Sequence, residues 1–573
     1  MRFLYTPPLI GRITVSGPSR SEGRGSGIRL VSPSASAVLI RRPDVRVLLV
    51  LLALGVRLAW LATHQGLLGE ESTYYARLGE NLAAGRGWLG MREQGLQLFY
   101  PPLYPLLLAA GTWVFRSAEL AGRLASLAFG SLLVLPVWSL AKRAAGARIA
   151  ILAACLAAVH PLFVATSTAV LSDSTYLFFA LCAWAVGLRM IEEEGMLAPI
   201  LLGISAGLAY LTRPEALLFP LFLLGLSVAS LVTRRAALAR RCAVALGSFA
   251  VMGAPYVIWL FTLTGQIHLE TKGASNFEYA RRIAAGLSPS QASHQIEDDL
   301  TETGLGMQSN IATLKTLHAP LGAHVRFLLE STRTYGQAVV RTLISSPVFG
   351  APVALALAFL GWFAAPWNLP RRWHEAYLLT WQGLVVVPLL TLQHFSERFG
   401  LSFLALLLVP AAQGVDLIQQ WAVATAASGT GLVTRWTLRG VPWLVVAALL
   451  VVSLRGIPDV QDLQPSDPQE LVLASWIREH SQGPERIVDA GPVVAYYAGA
   501  TLTAFPYARS EVALRYLARQ QVGFIILRGN QHVAPYIGDW LADGIPDPRA
   551  TLAYRTTARG GAEIRIYRFQ AGS

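Results

Sequence analysis

Apolar runs of roughly 18 to 22 residues, the length that carries a helix across a bilayer's hydrocarbon core, recur along this chain and constrain it more than any other feature. Hydropathy marks about eleven of them. The first three are VRVLLVLLALGVRLAWLA from Val45, SLAFGSLLVLPVWSLA from Ser126 and ARIAILAACLAAVHPLFVA from Ala147. TYLFFALCAWAVGLRMI, MLAPILLGISAGLAYL, ALLFPLFLLGLSVASLV and VALGSFAVMGAPYVIWLF follow. After a long polar interval come SPVFGAPVALALAFLGWFA, AYLLTWQGLVVVPLLTL, GLSFLALLLVPAAQGVDLI and VPWLVVAALLVVSL. The expected fold is an all-α polytopic membrane protein, and apolar residues at 54% against 14% charged agree with it.

The formal charge of +13 is read as topology. Its cations stand in short clusters between the apolar runs and do not gather into the footprint that nucleic acid requires. Arg41, Arg42 and Arg46 precede the first run, and Lys142, Arg143 and Arg148 follow the second. Arg234, Arg235, Arg240 and Arg241 follow the sixth, and Arg371 and Arg372 the eighth. A cytoplasmic N-terminus puts every cluster on the cytoplasmic side of the cell (inner) membrane, as the positive-inside rule asks. Residues 65–120, 264–342 and everything after about 456 are then outside. The stretch YPLLLAAGTWVF is too short to span and reads as a helix lying in the interface or re-entering.

Residues 1–44, rich in Ser, Gly, Pro and Arg, read as a disordered cytosolic tail. Residues 45–456 form the membrane domain, and 457–573 a soluble α/β domain. In that last piece ELVLASWIREH and EVALRYLARQQ have helical periodicity, VGFIIL is a short continuous apolar run, and AEIRIYRF alternates as a strand does. Cys155, Cys182 and Cys242 lie in or beside apolar runs without metal-ligand spacing and read as small packing residues.

Four polar constellations carry the chemistry. In GEESTYYARLGENLAAGRGW, residues 69–88, Glu71, Tyr75, Leu78 and Leu82 fall on one helical stripe, so a carboxylate shares the apolar face. An interfacial helix whose first-turn acids complement its dipole accounts for the same pattern. His160-Pro161 is followed by STAVLSDS with Asp173, and LTRPEALL places Arg213 and Glu215 between two apolar runs. QHFSERFG brings His394, Glu397 and Arg398 to the start of the tenth run. Ionisable groups at the membrane's edge cost roughly 2.5–3.5 kcal/mol each, which points to function. Arg213 and Glu215 as a local turn pair, and His160 as a packing residue, are the plainer readings. All four fall on the outer face, where Arg stabilises phosphate oxygens and a carboxylate serves as general base.

The ordered set GEESTYYARLGENLAAGRG, YPPLYPLLLAA, HP with SD, LTRPEALL and SERFG resembles the membrane glycosyltransferases of the C-type (GT-C) fold. It is similar in particular to bacterial relatives of the protein O-mannosyltransferases and of the lipid A aminoarabinose transferase. PYVIWLFTLTGQIHLETKG adds a phrase seen in many of these proteins, and the resemblance runs from about residue 50 to 510. It implies an inverting glycosyltransferase, with a polyprenyl-phosphate-linked sugar as donor and a lipid, glycan or protein as acceptor. Glu71 takes the place of the family's catalytic Asp, with Glu70 the alternative one residue off, and Asp173 is the second acid. Arg213, Arg398 and Lys272 would contact the donor phosphate. Tyr75, Tyr100, His160, Glu215 and His394 would line the substrate pocket. Glu stands where Asp is usual, and Phe399 where Tyr is usual, which puts a role at 399 in doubt. Relatives differ in metal dependence, and the sequence holds no ligand-spaced cluster, so a divalent metal is left open. A transporter or lipid flippase is the rival reading, since charged groups among discontinuous helices also mark substrate pathways.

Overall fold

Apolar patterning becomes helix through nearly all of the membrane domain. The computed structural model describes residues 44–570 except 65, 93–94, most of 274–350, 365–368, 392–395, 427–439, 456–462, 464, 484 and 532. The expected N-terminal tail, most of the 264–342 piece and His394 therefore lie outside the described residues.

The helices are α1 (Val45–Thr63), α2 (Glu70–Ala83), α3 (Leu103–Phe115), α4 (Ala118–Leu132), α5 (Val134–Ala145), α6 (Ala147–Val159) and α7 (Pro161–Thr166). They continue with α8 (Asp173–Glu192), α9 (Leu197–Tyr210), α10 (Leu218–Val232) and α11 (Ala236–Thr264). After the interval come α12 (Ala351–Phe363), α13 (Leu369–Val386), α14 (Leu401–Ala426) and α15 (Val441–Arg455). Among the described residues, six helical stretches are long and apolar enough to cross a membrane: Val45–Thr63, Ala118–Ala145, Asp173–Glu192, Pro214–Val232, Ala236–Thr264 and Glu397–Thr425. Shorter apolar helices accompany them, α3 with the YPLLLAAGTWVF stretch among them.

Two sequence-based boundaries need correction. The second apolar run starts as helix at Ala118, eight residues before Ser126. Its early charges are tolerated because Glu119 and Arg123 pair one turn apart at 2.9 Å. The third run is two helices, because Pro161 lacks the N–H that a continuous helix would use. The chain is extended at His160 and restarts at Pro161 as α7, with the His160 side chain accepting from Leu162 N.

The bundle core is packed from α1, α5, α6, α8, α9 and α14, with the Ala-rich face of α6 at its centre. α12 and α14 cross backbone to backbone. A Cβ on Gly361 would lie 1.9 Å from Pro410 O, and one on Gly414 1.9 Å from Leu357 O. Small residues permit such close approach between membrane helices.

The C-terminal part is a five-stranded mixed sheet with helices. Its elements are α16 (Gln469–His480), β1 (Arg486–Val488), α17 (Val493–Ala498), β2 (Thr501–Thr503), α18 (Ser510–Arg519), β3 (Phe524–Arg528), α19 (Ile537–Asp543), β4 (Ala550–Thr557) and β5 (Glu563–Phe569). The strand order is β2-β1-β3-β5-β4, with β1 parallel to β2 and β3, and β5 antiparallel to β3 and β4. The two helices and two strands read from the sequence correspond to α16, α18, β3 and β5. Arg528, closing β3, is held by Asp489 at 2.8 and 2.7 Å and by Glu470 at 2.6 and 2.8 Å.

This sheet is stitched to the segment between α1 and α3. Leu502 N donates to Met91 O at 2.9 Å, and Arg92 forms an isolated parallel bridge to Leu502 on the β2 edge. Arg77 of α2 donates to Tyr496 O at 2.9 Å, Tyr496 OH donates to Glu80 at 2.9 Å, and Leu68 N donates to Tyr497 OH at 3.0 Å. Helix α2 is thereby held between the bundle and α17.

Candidate active site

The face of α2 turned away from α17 carries Glu71 and Tyr75. That helix is seated on α3 through Gly79, where a Cβ would meet Leu108 Cβ at 2.8 Å. Tyr75 is buried, hydrogen-bonds with Ser172 Oγ at 2.9 Å, and packs its ring on Tyr100 at 4.1 Å and Tyr104 at 5.1 Å. Tyr104 OH meets Ser126 Oγ at 2.9 Å, and Ser126 Oγ donates to Leu171 O at 3.1 Å. These contacts fix the 171–173 turn against α2, and Asp173 opens α8 from that turn.

Asp173, 2% exposed, accepts from two guanidinium groups. Arg213 Nη1 donates to Oδ1 at 2.7 Å, and Arg398 Nη1 donates to Oδ2 at 3.2 Å. Arg398 Nη2 also donates to Glu71 Oε2. Arg213 donates from Nε and Nη2 to Glu215 Oε1 at 3.1 and 2.8 Å. Glu71, Arg398, Asp173, Arg213 and Glu215 thus form one continuous charged chain. Local rules place each member: Arg213 is extended because Pro214 follows it, and Arg398 stands on the 3₁₀ turn Glu397–Gly400 that leads into α14.

Lys272 reaches the cluster from the segment after α11. Its Nζ lies 5.3 Å from the Phe99 ring and 5.7 Å from the Phe399 ring. Burial and the Arg213 charge lower the Lys272 pKa against the pull of Glu215 and Glu71. For Glu71, burial alone would raise the pKa. The charges of Arg398, Lys272 and Arg213, with the Arg398 hydrogen bond, outweigh burial and hold the carboxyl below its ordinary value. Glu71 is therefore an ionised carboxylate at neutral pH.

The sequence-predicted residues do not all meet here. Glu71, Asp173, Arg213, Glu215, Arg398, Lys272, Tyr75 and Tyr100 come together. Glu70 points elsewhere: it is exposed, and a Cβ on Gly491 of the sheet domain would lie 3.4 Å from its Oε1. His160 is the buried N-cap of α7, its Nδ1 accepting from Leu162 N at 3.3 Å and its ring 5.3 Å from Phe163. Phe399 has a place despite lacking the family's hydroxyl, because its ring faces Arg398 at 4.8 Å and Arg213 at 5.6 Å. Tyr176 and Ser402, which sequence reasoning missed, line the cleft beside Arg213 and Arg398. Tyr176 stands one turn after Asp173, and that spacing was the available signal.

Among the described residues the donor set does not suit a divalent cation. Both Glu71 and Asp173 direct carboxylate oxygens at Arg398, and among the described residues no three His, Cys, Asp or Glu side chains converge.

Residues 100–259 match the family model described as dolichyl-phosphate-mannose-protein mannosyltransferase. The fold resembles that of the archaeal oligosaccharyltransferase AglB from Archaeoglobus fulgidus, solved in complex with an inhibitory peptide and a dolichol-phosphate. The TM-score is 0.60 at 16% identity, over 84% of this chain and 68% of that one. An Archaeoglobus fulgidus oligosaccharyltransferase in complex with Zn and sulfate aligns with a TM-score of 0.59 at 16% identity, over 91% of this chain and 73% of that one. ArnT from Cupriavidus metallidurans bound to undecaprenyl phosphate aligns over 91% and 97% of the two chains at 16% identity, with a TM-score of 0.45. No curated protein sequence matches the chain significantly. The chain thus has a fold like that of these membrane enzymes. Over residues 100–259 it is similar to the dolichyl-phosphate-mannose-protein mannosyltransferases.

Proposed function

We propose that this enzyme transfers a sugar, with inversion, from a polyprenyl-phosphate donor to an acceptor hydroxyl on the outer face of the membrane, with Glu71 as general base. The observation that carries the reading is the meeting of Glu71, Asp173, Arg213, Arg398 and Lys272 from segments up to 327 positions apart. A carboxylate beside three cations suits a reaction that takes up a proton and releases a phosphate.

The acceptor oxygen attacks the anomeric carbon from the face opposite the phosphate. The C–O bond to the lipid phosphate breaks with its electron pair, and the acceptor proton passes to Glu71. Arg398 and Arg213, with Lys272, stabilise the charge that develops on the departing phosphate. Asp173 accepts from both arginines at once and so sets their spacing. When the donor phosphate draws Arg398 towards itself, Glu71 loses its strongest partner and becomes a better base, in step with donor binding. The acceptor is a lipid, glycan or protein. The cytoplasmic N-terminus and outer C-terminal domain follow from the arginine clusters.

The test is transfer by the purified full-length protein from synthetic polyprenyl-phosphate monosaccharides, with anomeric configuration read by NMR. An inverted linkage is expected. Transfer from a nucleotide sugar but from no lipid-phosphate sugar, or retention of configuration, would overturn the reading.

A further inference from the structure

A second cavity, of about 400 Å³, lies at the arginine-rich end of the bundle. It opens where α5 turns into α6, α12 gives way to α13, and the later turns of α14 pass alongside. The 20 residues of α8 separate it from the Glu71 cluster: Asp173 starts that helix, and Glu192 at its end pairs with Arg143 beside the cavity at 2.8 Å. At 1.5 Å per residue the two sites are roughly 30 Å apart.

Its walls carry both signs of charge. Arg143, Arg371 and His374 line it together with Asp416, Gln413 and Gln420. Arg148 pairs with Asp416 Oδ1 at 2.8 Å, Gln420 donates to Asp416 Oδ2 at 2.7 Å, and His374 pairs with Glu192. Gln413 is 8% exposed, and its Oε1 has no hydrogen-bond partner. Glu375, a turn of α13 from Arg371 and 2% exposed, has an Oε2 in the same condition. A buried acceptor left unmade costs about 1–3 kcal/mol, so these two oxygens call for a donor. Arg143 makes one hydrogen bond from each Nη, to Glu192 and Glu193, and a guanidinium has five N–H groups to give.

The level of the cavity is marked by tryptophans. Trp373, next to His374, is 60% exposed, and Trp421, next to Gln420, is 53% exposed. Lys142 Nζ lies 4.7 Å from the Trp138 ring. Tryptophans with neighbouring cations are what the head-group layer selects. Ile149 and Leu417 give the cavity an apolar flank.

We propose that this cavity binds the head group of a phospholipid that carries a primary ammonium beside its phosphate. The phosphate faces Arg143, Arg371 and His374. The ammonium donates to Gln413 Oε1 and Asp416, and the glycerol end of the acyl chains rests on Ile149 and Leu417. A purely anionic head group leaves Gln413 Oε1 without a donor. A quaternary ammonium has no N–H for Gln413. The site is independent of the Glu71 chemistry.

The test uses the delipidated, detergent-purified full chain. Its apparent unfolding midpoint is measured with phosphatidylethanolamine, phosphatidylcholine, phosphatidylglycerol or inorganic phosphate. Phosphatidylethanolamine raises the midpoint by about 3 °C or more, and the other three by less than about a third of that. Gln413→Leu and Asp416→Asn each remove this increment while sugar transfer continues, and either variant suffices if the other fails to fold. An equal rise with phosphatidylglycerol or phosphate would mean a simple anion site, and an equal rise with all lipids a general bilayer effect. Either result overturns the proposal. So does no rise with phosphatidylethanolamine, or a rise that survives in the folded variants.

Discussion

Replacing Arg398 by Gln is the most informative single change. Arg398 is 5% exposed and bonds to both Glu71 and Asp173. Asp173 keeps Arg213 at 2.7 Å, whereas Glu71 loses its hydrogen-bonded guanidinium. Removing one partner of a buried pair costs about 3–5 kcal/mol. Because one of the two carboxylates stays paired, the lower end, about 3 kcal/mol, is expected in stability. The same cation is proposed to stabilise the leaving phosphate, and about 3 kcal/mol in the transition state is a fall of roughly 100- to 200-fold in kcat/KM. The pH dependence gives a second, independent readout. Glu71 has a depressed pKa in the free enzyme, so it is ionised and active as a base down to a pH below the ordinary glutamate range, and activity is lost only as pH falls through that value. Without Arg398 the pKa rises, and the acid limb of kcat/KM moves to higher pH. The assay is kcat/KM against pH with a lipid-phosphate sugar, alongside thermal unfolding. A variant with kcat/KM within threefold of the parent and an unmoved acid limb would refute the reasoning.

Glu71→Gln should lower transfer by about 10²–10⁴-fold with folding retained, while Glu70→Gln, on the exposed side of α2, should leave the rate nearly unchanged; the reverse pattern would reassign the base. Arg213→Lys, which loses the planar fork, should raise donor KM with little effect on expression; an unchanged KM would leave Arg213 as a partner of Asp173 and Glu215 only. A reporter fused after Leu454 should be active only outside the cytoplasm, and a cytosolic signal would invert the proposed topology. Arg528→Met should destabilise the sheet domain by about 3–5 kcal/mol, because Asp489 and Glu470 lose their shared cation; unfolding at the parental temperature would show that the three groups are not coupled.

The sequence made the helical membrane class legible because lipid forces apolar length into the pattern, and Glu71 because its helix stripe was periodic. Arg213 and Arg398 stood out as charges at the ends of apolar runs. The joint that makes them one site was not legible: Asp173 accepts from arginines 40 and 225 positions away, and no local pattern encodes such a meeting. In sequence, His160 is open between a packing and a functional reading. Its position beside a proline invited a functional reading, and the structure uses it to cap the helix that the proline starts. In the sheet domain, β3 and β5 were readable from burial and alternation. β1 and β2, at three residues each, are too short to leave a period.

The grip of α17 on α2 means that the two parts of this enzyme are not separable modules. The acid that is proposed to do the chemistry rides on a helix whose other side is held by Tyr496, more than 400 positions later in the chain. A chain cut after Arg455 would keep every charged member of the cluster and still lose the support that aims Glu71. Support for a residue near position 70 therefore comes from residues near position 496, and truncation of the sheet domain is expected to reach the proposed chemistry through α2.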